Sequence, residues 1–205
     1  MVAFQFRVEM LFGRHAQAEI GDETPALRDI EHARDRSRIQ DRNPTHADAV
    51  GTGGKQVLFN AILATVDPGD EVVIPMPAWP NMDGIARVMG ARVTPLPLRI
   101  ANGVWRVDLD ELLATVTPRT RMIILNSPHN PTGSVLTAAD ITALGDLLRN
   151  TAITVLSDEV YEHMVFDGQQ HQSAALFPGL ASRAFIVSSF GKTYHVTGWK
   201  VGYVA

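Results

Sequence analysis

The chain has no cysteine. That excludes a disulfide framework, a thiolate zinc site and a cysteine nucleophile, and it fits a reducing, cytoplasmic compartment. It has no basic excess either. Its 18 lysines and arginines face 22 acidic residues, for a net charge of −4, which favours neither nucleic acid nor an anionic membrane surface as a partner. No stretch approaches the roughly 18 uninterrupted apolar residues a membrane helix needs. Residues 1–14 mix apolar side chains with Gln5, Arg7 and Glu9, so no secretory signal is expected there. His15, His32, His46, His163 and His171 show no metal-ligand spacing such as H-E-x-x-H, and no metal is expected. The nucleophile motif G-x-S-x-G of serine hydrolases is also missing.

What remains is ordinary for a soluble globular domain: 205 residues, 45% hydrophobic and 20% charged, enough for one good-sized core. Residues 1–50 are charge-rich and weakly periodic, with residues 30–42 reading as a solvated helix or loop. From Gly51 the pattern sharpens. Residues 55–66 form an apolar helix closed by the turn Asp67-Pro68-Gly69-Asp70. Residues 71–75 form a buried strand, and residues 81–89 a helix that Gly90 can end in the left-handed conformation. A strand is expected at 92–96, an Asp-capped helix at 108–116, a strand at 121–126, and a helix at 137–149 opening on a Thr137–Asp140 capping box. Residues 153–157 and 184–189 are strands with near-continuous apolar runs, and 200–205 is a further strand. Such runs imply burial on both faces, as in a mostly parallel sheet flanked by helices. The β-α-β order therefore predicts the α/β class.

In open parallel sheets ligands gather beyond the carboxyl ends of the strands. After the strand at 121–126 comes Ser127-Pro128-His129-Asn130-Pro131-Thr132-Gly133. After 153–157 come Asp158, Glu159 and Tyr161, and after 184–189 come Gly191 and Lys192. An amide, an acid, a phenol and an amine thus converge on one edge, which the Gly-rich helix start at Gly53-Gly54 can also face.

The strings GTGGKQ, PAWPN, NSPHNPTG, SDEVYE and SSFGKTYHVTGWKVGY occur in this order. In kind and order they resemble the class I and II aminotransferases of the aspartate aminotransferase fold, which depend on pyridoxal 5'-phosphate (PLP). The resemblance covers residues 51–205, with a weaker echo at residues 24–28. It implies a fold type I large domain, incomplete at its C-terminus, behind an N-terminal segment at 1–50. It also implies an enzyme of amino acid metabolism that moves an amino group from an L-amino acid to a 2-oxo acid, in a family whose members are homodimers.

Residue by residue, the resemblance makes Lys192 the Schiff-base lysine, whose freed amine can carry a proton at the substrate Cα. Asp158 would pair with the pyridine nitrogen and keep the ring an electron sink. Tyr161 and Asn130 would hydrogen-bond the ring's 3′ oxygen, and Trp79 would stack on its face. Gly53, Gly54 and Lys55, at the positive end of an apolar helix, would meet the phosphate with Ser189 and Lys200. Alone, each has a plainer reading: a surface lysine, an Asp cap, a core Tyr or Trp, a turn at Asn130.

Lys200 stands where most relatives have Arg, a point charge in place of a planar fork. With GKTYHVTGWKVGY around it, it resembles the subgroup of kynurenine, glutamine–phenylpyruvate and methionine aminotransferases. No residue matches the family's carboxylate-gripping Arg, and no Tyr precedes residues 25–28 to reach a partner's phosphate. A truncated product is therefore expected. Two other readings stay open: a PLP-binding fragment without catalysis, and an aminotransferase-like binding module of a regulator. The second would need a DNA-binding helix pair, which residues 1–50 do not suggest.

Overall fold

Side chains on a strand alternate between its two faces. Here Val72 and Ile74 enter one apolar layer and Val73 the other; Met122 and Ile124 oppose Ile123 and Leu125; Leu156 opposes Val155. All of these are at most 3% exposed. Continuous apolar runs are the consequence of covering both faces of a sheet.

The computed structural model describes residues 49–205. The expectations for residues 24–28 and 30–42 lie outside the described residues. The elements run β1 (Ala49–Gly51), α1 (Gly54–Thr65), β2 (Glu71–Met76), α2 (Pro80–Val88), β3 (Arg92–Pro97), β4 (Arg99–Ala101), β5 (Val104–Arg106), α3 (Leu109–Thr115), β6 (Thr120–Asn126), α4 (Ala138–Leu148), β7 (Thr154–Asp158), α5 (Pro178–Ala181), β8 (Ala184–Ser189), α6 (Phe190–Thr193) and β9 (Gly202–Val204). Short 3-10 turns occupy Ala174–Leu176 and Thr197–Trp199. Seven strands form one sheet in the order β1-β9-β8-β7-β6-β2-β3. The five from β3 to β8 are parallel, while β9 runs antiparallel to β8 and β1 antiparallel to β9. The expected mostly parallel α/β sheet is present. Helices α1 and α2 cover one face, and α3, α4 and α5 the other.

Local chemistry sets the helix ends. Asp108 accepts hydrogen bonds from the backbone N–H groups of Asp110 and Glu111, both at 3.0 Å. Thr137 and Asp140 form the expected capping box, and Gly90 ends α2's turn at φ 79°. At the far end of α4, Arg183 donates from Nη1 to the carbonyls of Leu148 and Thr151, each at 2.8 Å. Leu148 is the last residue of α4, so its carbonyl has no partner within the helix. Arg183→Ala is expected to lower stability by about 2 kcal/mol, the scale of charged hydrogen bonds, and a thermal melt would read it as a lower Tm.

Three features depart from expectation. The hairpin β4–β5 was not foreseen, although its turn Asn102-Gly103, with φ of 53° and 76°, is the dipeptide that favours a two-residue hairpin loop. Strand β1, Ala49–Gly51, was not foreseen either. The strand expected from residue 200 starts only at Gly202, because Lys200 adopts the left-handed conformation, φ 54° and ψ 51°, at the end of a 3-10 turn. Among the described residues, no helix is long and apolar enough to cross a membrane.

Candidate active site

The parallel strands β6, β7 and β8 end side by side at Asn126, Asp158 and Ser189, with Asn126 in register with Asp158. Helix α1 starts at Gly54, just past β1. Between these ends opens a cleft of about 730 Å³, within the range that holds small ligands and cofactors. All ten residues to which the resemblance gave a role line it: Gly53, Gly54 and Lys55 from the start of α1; Trp79 ahead of α2; Asn130, Asp158 and Tyr161 from the loops after β6 and β7; Ser189, Lys192 and Lys200 from the β8–β9 segment. The chain contains three lysines, and all three are in this lining.

One end of the cleft is built for an anion. Gly53 caps α1 at φ 88° with no side-chain cap and no acidic residue in the first turn, so the helix's positive end meets the cleft without a carboxylate against it. Added Cβ atoms measure how close the surroundings lie. At Gly54 one would come 3.4 Å from Ser189 Cβ, and at Gly53 3.7 Å from Lys200 Cα. A hydroxyl, a cation and free backbone N–H groups therefore share this corner. Gly202 presses on it from β9: a Cβ there would stand 2.4 Å from both Gly53 C and Gly54 N. Backbone atoms cannot yield cheaply, so Gly202→Ala is expected to displace the Gly53–Gly54 peptide. It should cost about 1–3 kcal/mol, as overpacking does, and weaken binding of a phosphorylated ligand. A melt read beside a PLP titration checks both effects.

The middle of the cleft holds a carboxyl. Asp158 is 4% exposed. Its carboxylate receives one hydrogen bond, from Val160 N–H at 3.3 Å. Burial pushes its pKa from 3.8 to about 7; the Val160 N–H opposes that rise and the neighbouring Glu159 charge adds to it. No cation is among the influences on it. A buried acid with one long hydrogen bond suits a ligand that brings a protonated ring nitrogen. Nearby, Lys192 Nζ lies 5.8 Å from the Tyr161 ring centroid and Lys55 Nζ 5.6 Å from that of Trp79. Amine, carboxyl, aromatic faces and anion corner together fit a flat, phosphorylated pyridine aldehyde such as PLP.

Two supporting residues escaped the sequence reading. Asn126, 8% exposed, donates from Nδ2 to the Asp158 carbonyl at 2.9 Å and accepts the Asn130 N–H at 2.7 Å. It locks the loop carrying Asn130 to the end of β7. Its position at the carboxyl end of an apolar strand, as for Asp158, was the available signal. Thr197 donates to the Gly191 carbonyl at 3.0 Å. A Cβ on Gly191 would stand 3.0 Å from Thr197 Cα, so the turn carrying Lys192 is packed against the 3-10 turn.

Known proteins resemble this chain. An aspartate/prephenate aminotransferase of Cereibacter sphaeroides is 41% identical over 161 residues, 76% of this chain and 39% of that protein. Methionine aminotransferase of Escherichia coli is 44% identical over 154 residues, 75% of this chain and 39% of its own length. The solved N-succinyldiaminopimelate aminotransferase of Mycobacterium tuberculosis matches with a TM-score of 0.77 and 36% identity, over 91% of this chain and 49% of that one. The chain thus spans about two fifths of the length of these curated relatives. The solved neighbours are aminotransferases, and they share the fold found here, a mostly parallel sheet between helices. Residues 31–205 match the family "Aminotransferase class I and II", a span that contains the whole cleft and all three of its lysines, and the chain belongs to that family.

Proposed function

We propose that this chain works in PLP-dependent amino transfer from an L-amino acid to a 2-oxo acid, with Lys192 as the amine that holds the cofactor. The observation that carries the reading is the convergence of Lys192, Asp158 and Tyr161 on one cleft that ends in a helix N-terminus. PLP, when bound, supplies an electron-withdrawing ring that takes up the electron pair left at the substrate's Cα.

The side chains of this protein do the rest. Lys192 Nζ would hold the cofactor through its aldehyde carbon and, as a free amine, would carry the proton at the substrate Cα. The Asp158 carboxylate keeps a proton on the ring nitrogen, which the low dielectric of its site makes worth more than in water. Tyr161 and Asn130 hold the 3′ oxygen, and Trp79 covers one face and excludes water. Gly53, Gly54, Lys55, Ser189 and Lys200 hold the phosphate. Lys200 does so as a point charge, without the two-pronged grip of an arginine.

Residues 51–205, together with the first residues of β1, make up the cofactor-binding large domain, and residues before them an N-terminal segment. The relatives' names cover aspartate, prephenate, methionine and N-succinyldiaminopimelate, so the shared amino-transfer chemistry carries over, not one side chain. A cytoplasmic homodimer fits the lack of cysteine and the family's habit. Titration with PLP tests the reading. A visible absorption band should appear on mixing and shift when amino acids are added; a chain that gives no band, or a band indifferent to every amino acid tried, would refute it.

A further inference from the structure

The residue after Asp158 is a second buried carboxylate that the proposed chemistry does not use. Glu159 is 1% exposed and is not part of the cleft lining. Its Oε1 accepts from Ser157 Oγ at 2.8 Å and from Ala174 N–H at 3.0 Å. Its Oε2 lies 2.8 Å from His171 Nε2. Its own N–H donates to the Val187 carbonyl at 2.8 Å. One side chain thus joins β7, a 3-10 turn and the loop that leads into that turn, while its backbone is held by β8.

The histidine is committed to this contact. Its Nδ1 is buried with no hydrogen-bond partner, so Nε2 carries the polar link of the ring. The pair closes the loop between residues 159 and 171. Asp158 stands immediately outside that closure and Tyr161 just inside it. A buried carboxylate is costly unless fully hydrogen-bonded, and three donors to Glu159 repeat what a passive packing position does not need.

We infer that Glu159 and His171 form a positioning clamp that aims the Asp158 carboxylate and the Tyr161 ring into the cleft. This rests on the proposed PLP reading. A supporting shell of this kind matters because misplacing a group by about 1 Å can cost about 10²-fold in function.

The test compares binding of PLP with that of an analogue carrying carbon in place of the ring nitrogen, by fluorescence titration of the full chain. Both ligands use the phosphate corner, but only PLP rewards a correctly aimed Asp158. His171→Ala is expected to reduce the preference for PLP by about tenfold. His171→Gln, which keeps an N–H for Glu159, should retain most of it. A role confined to stability would weaken both ligands alike and leave their ratio untouched. Should His171→Ala fail to fold by circular dichroism, Glu159→Gln gives the same comparison, since it removes the charge and keeps the shape. An unchanged ratio, within about twofold, in a folded variant overturns the clamp. A native chain that does not prefer PLP over the carbon analogue overturns the cofactor reading itself, and the clamp with it.

Discussion

Reduction of the PLP-treated chain with borohydride should fix the cofactor to Lys192, and Lys192→Ala should take up no label at all. The experiment is unusually clean here because the chain has three lysines and each lines the cleft. Lys55 and Lys200 are therefore internal controls, lining the same cleft yet expected to stay unlabelled. Lys55 stands over the Trp79 ring, and Lys200 sits beside Gly53 at the anion corner. Lys192 alone projects from the turn after β8, near Tyr161. Any amino-transfer rate should fall in Lys192→Ala by at least about 10⁴-fold, the reach of a positioned proton-transfer group before its covalent role is counted. Peptide mapping that finds the label on Lys55 or Lys200 would break the assignment.

Asp158→Asn should make the ligand-free chain more stable and at the same time a poorer receptor for PLP. In the unfolded chain this carboxyl ionises near its ordinary 3.8, and in the fold near 7, chiefly through burial. Between those values the folded state binds the extra proton. Stability therefore falls as pH rises through this window and levels off above it. The whole span is worth up to about 4 kcal/mol. An asparagine has no proton to lose, so the variant should gain little near pH 4 and nearly the full amount at pH 8, measured by denaturant unfolding across pH. With PLP present the order reverses, because an amide cannot hold the proton on the ring nitrogen. Equal stabilities of variant and native chain at pH 8 would show that the carboxyl is better solvated than its 4% exposure implies.

Much of this was legible in the sequence because burial on both faces leaves a plain signature. The apolar run of β8 matches its observed bounds, and the Thr137–Asp140 pair marks the start of α4. The site was legible for a related reason: strand ends in a parallel sheet expose the next polar residue to one shared edge. Other features left weaker traces. Strand β1 is three residues long, with Val50 72% exposed, so no apolar pattern announces it. The alternation in residues 200–205 suits a strand, but a left-handed backbone at a lysine has no compositional mark. Glu159 and His171 were passed over because they meet through a loop closure, twelve residues apart, with neither in a spacing tied to known chemistry.

The pairing of β1 with β9 has a bearing on how the molecule is assembled. Ala49 lies against Val204 and Gly51 against Gly202, so the earliest and the latest strands of the described chain are neighbours. Loop-closure entropy makes such distant pairings slow to form. The anion corner rests on this junction, since Gly202 supports the Gly53–Gly54 peptide. On the ribosome, the N-terminal half of that corner must wait for β9 to emerge, and the power to capture PLP becomes a marker of the β1–β9 pairing.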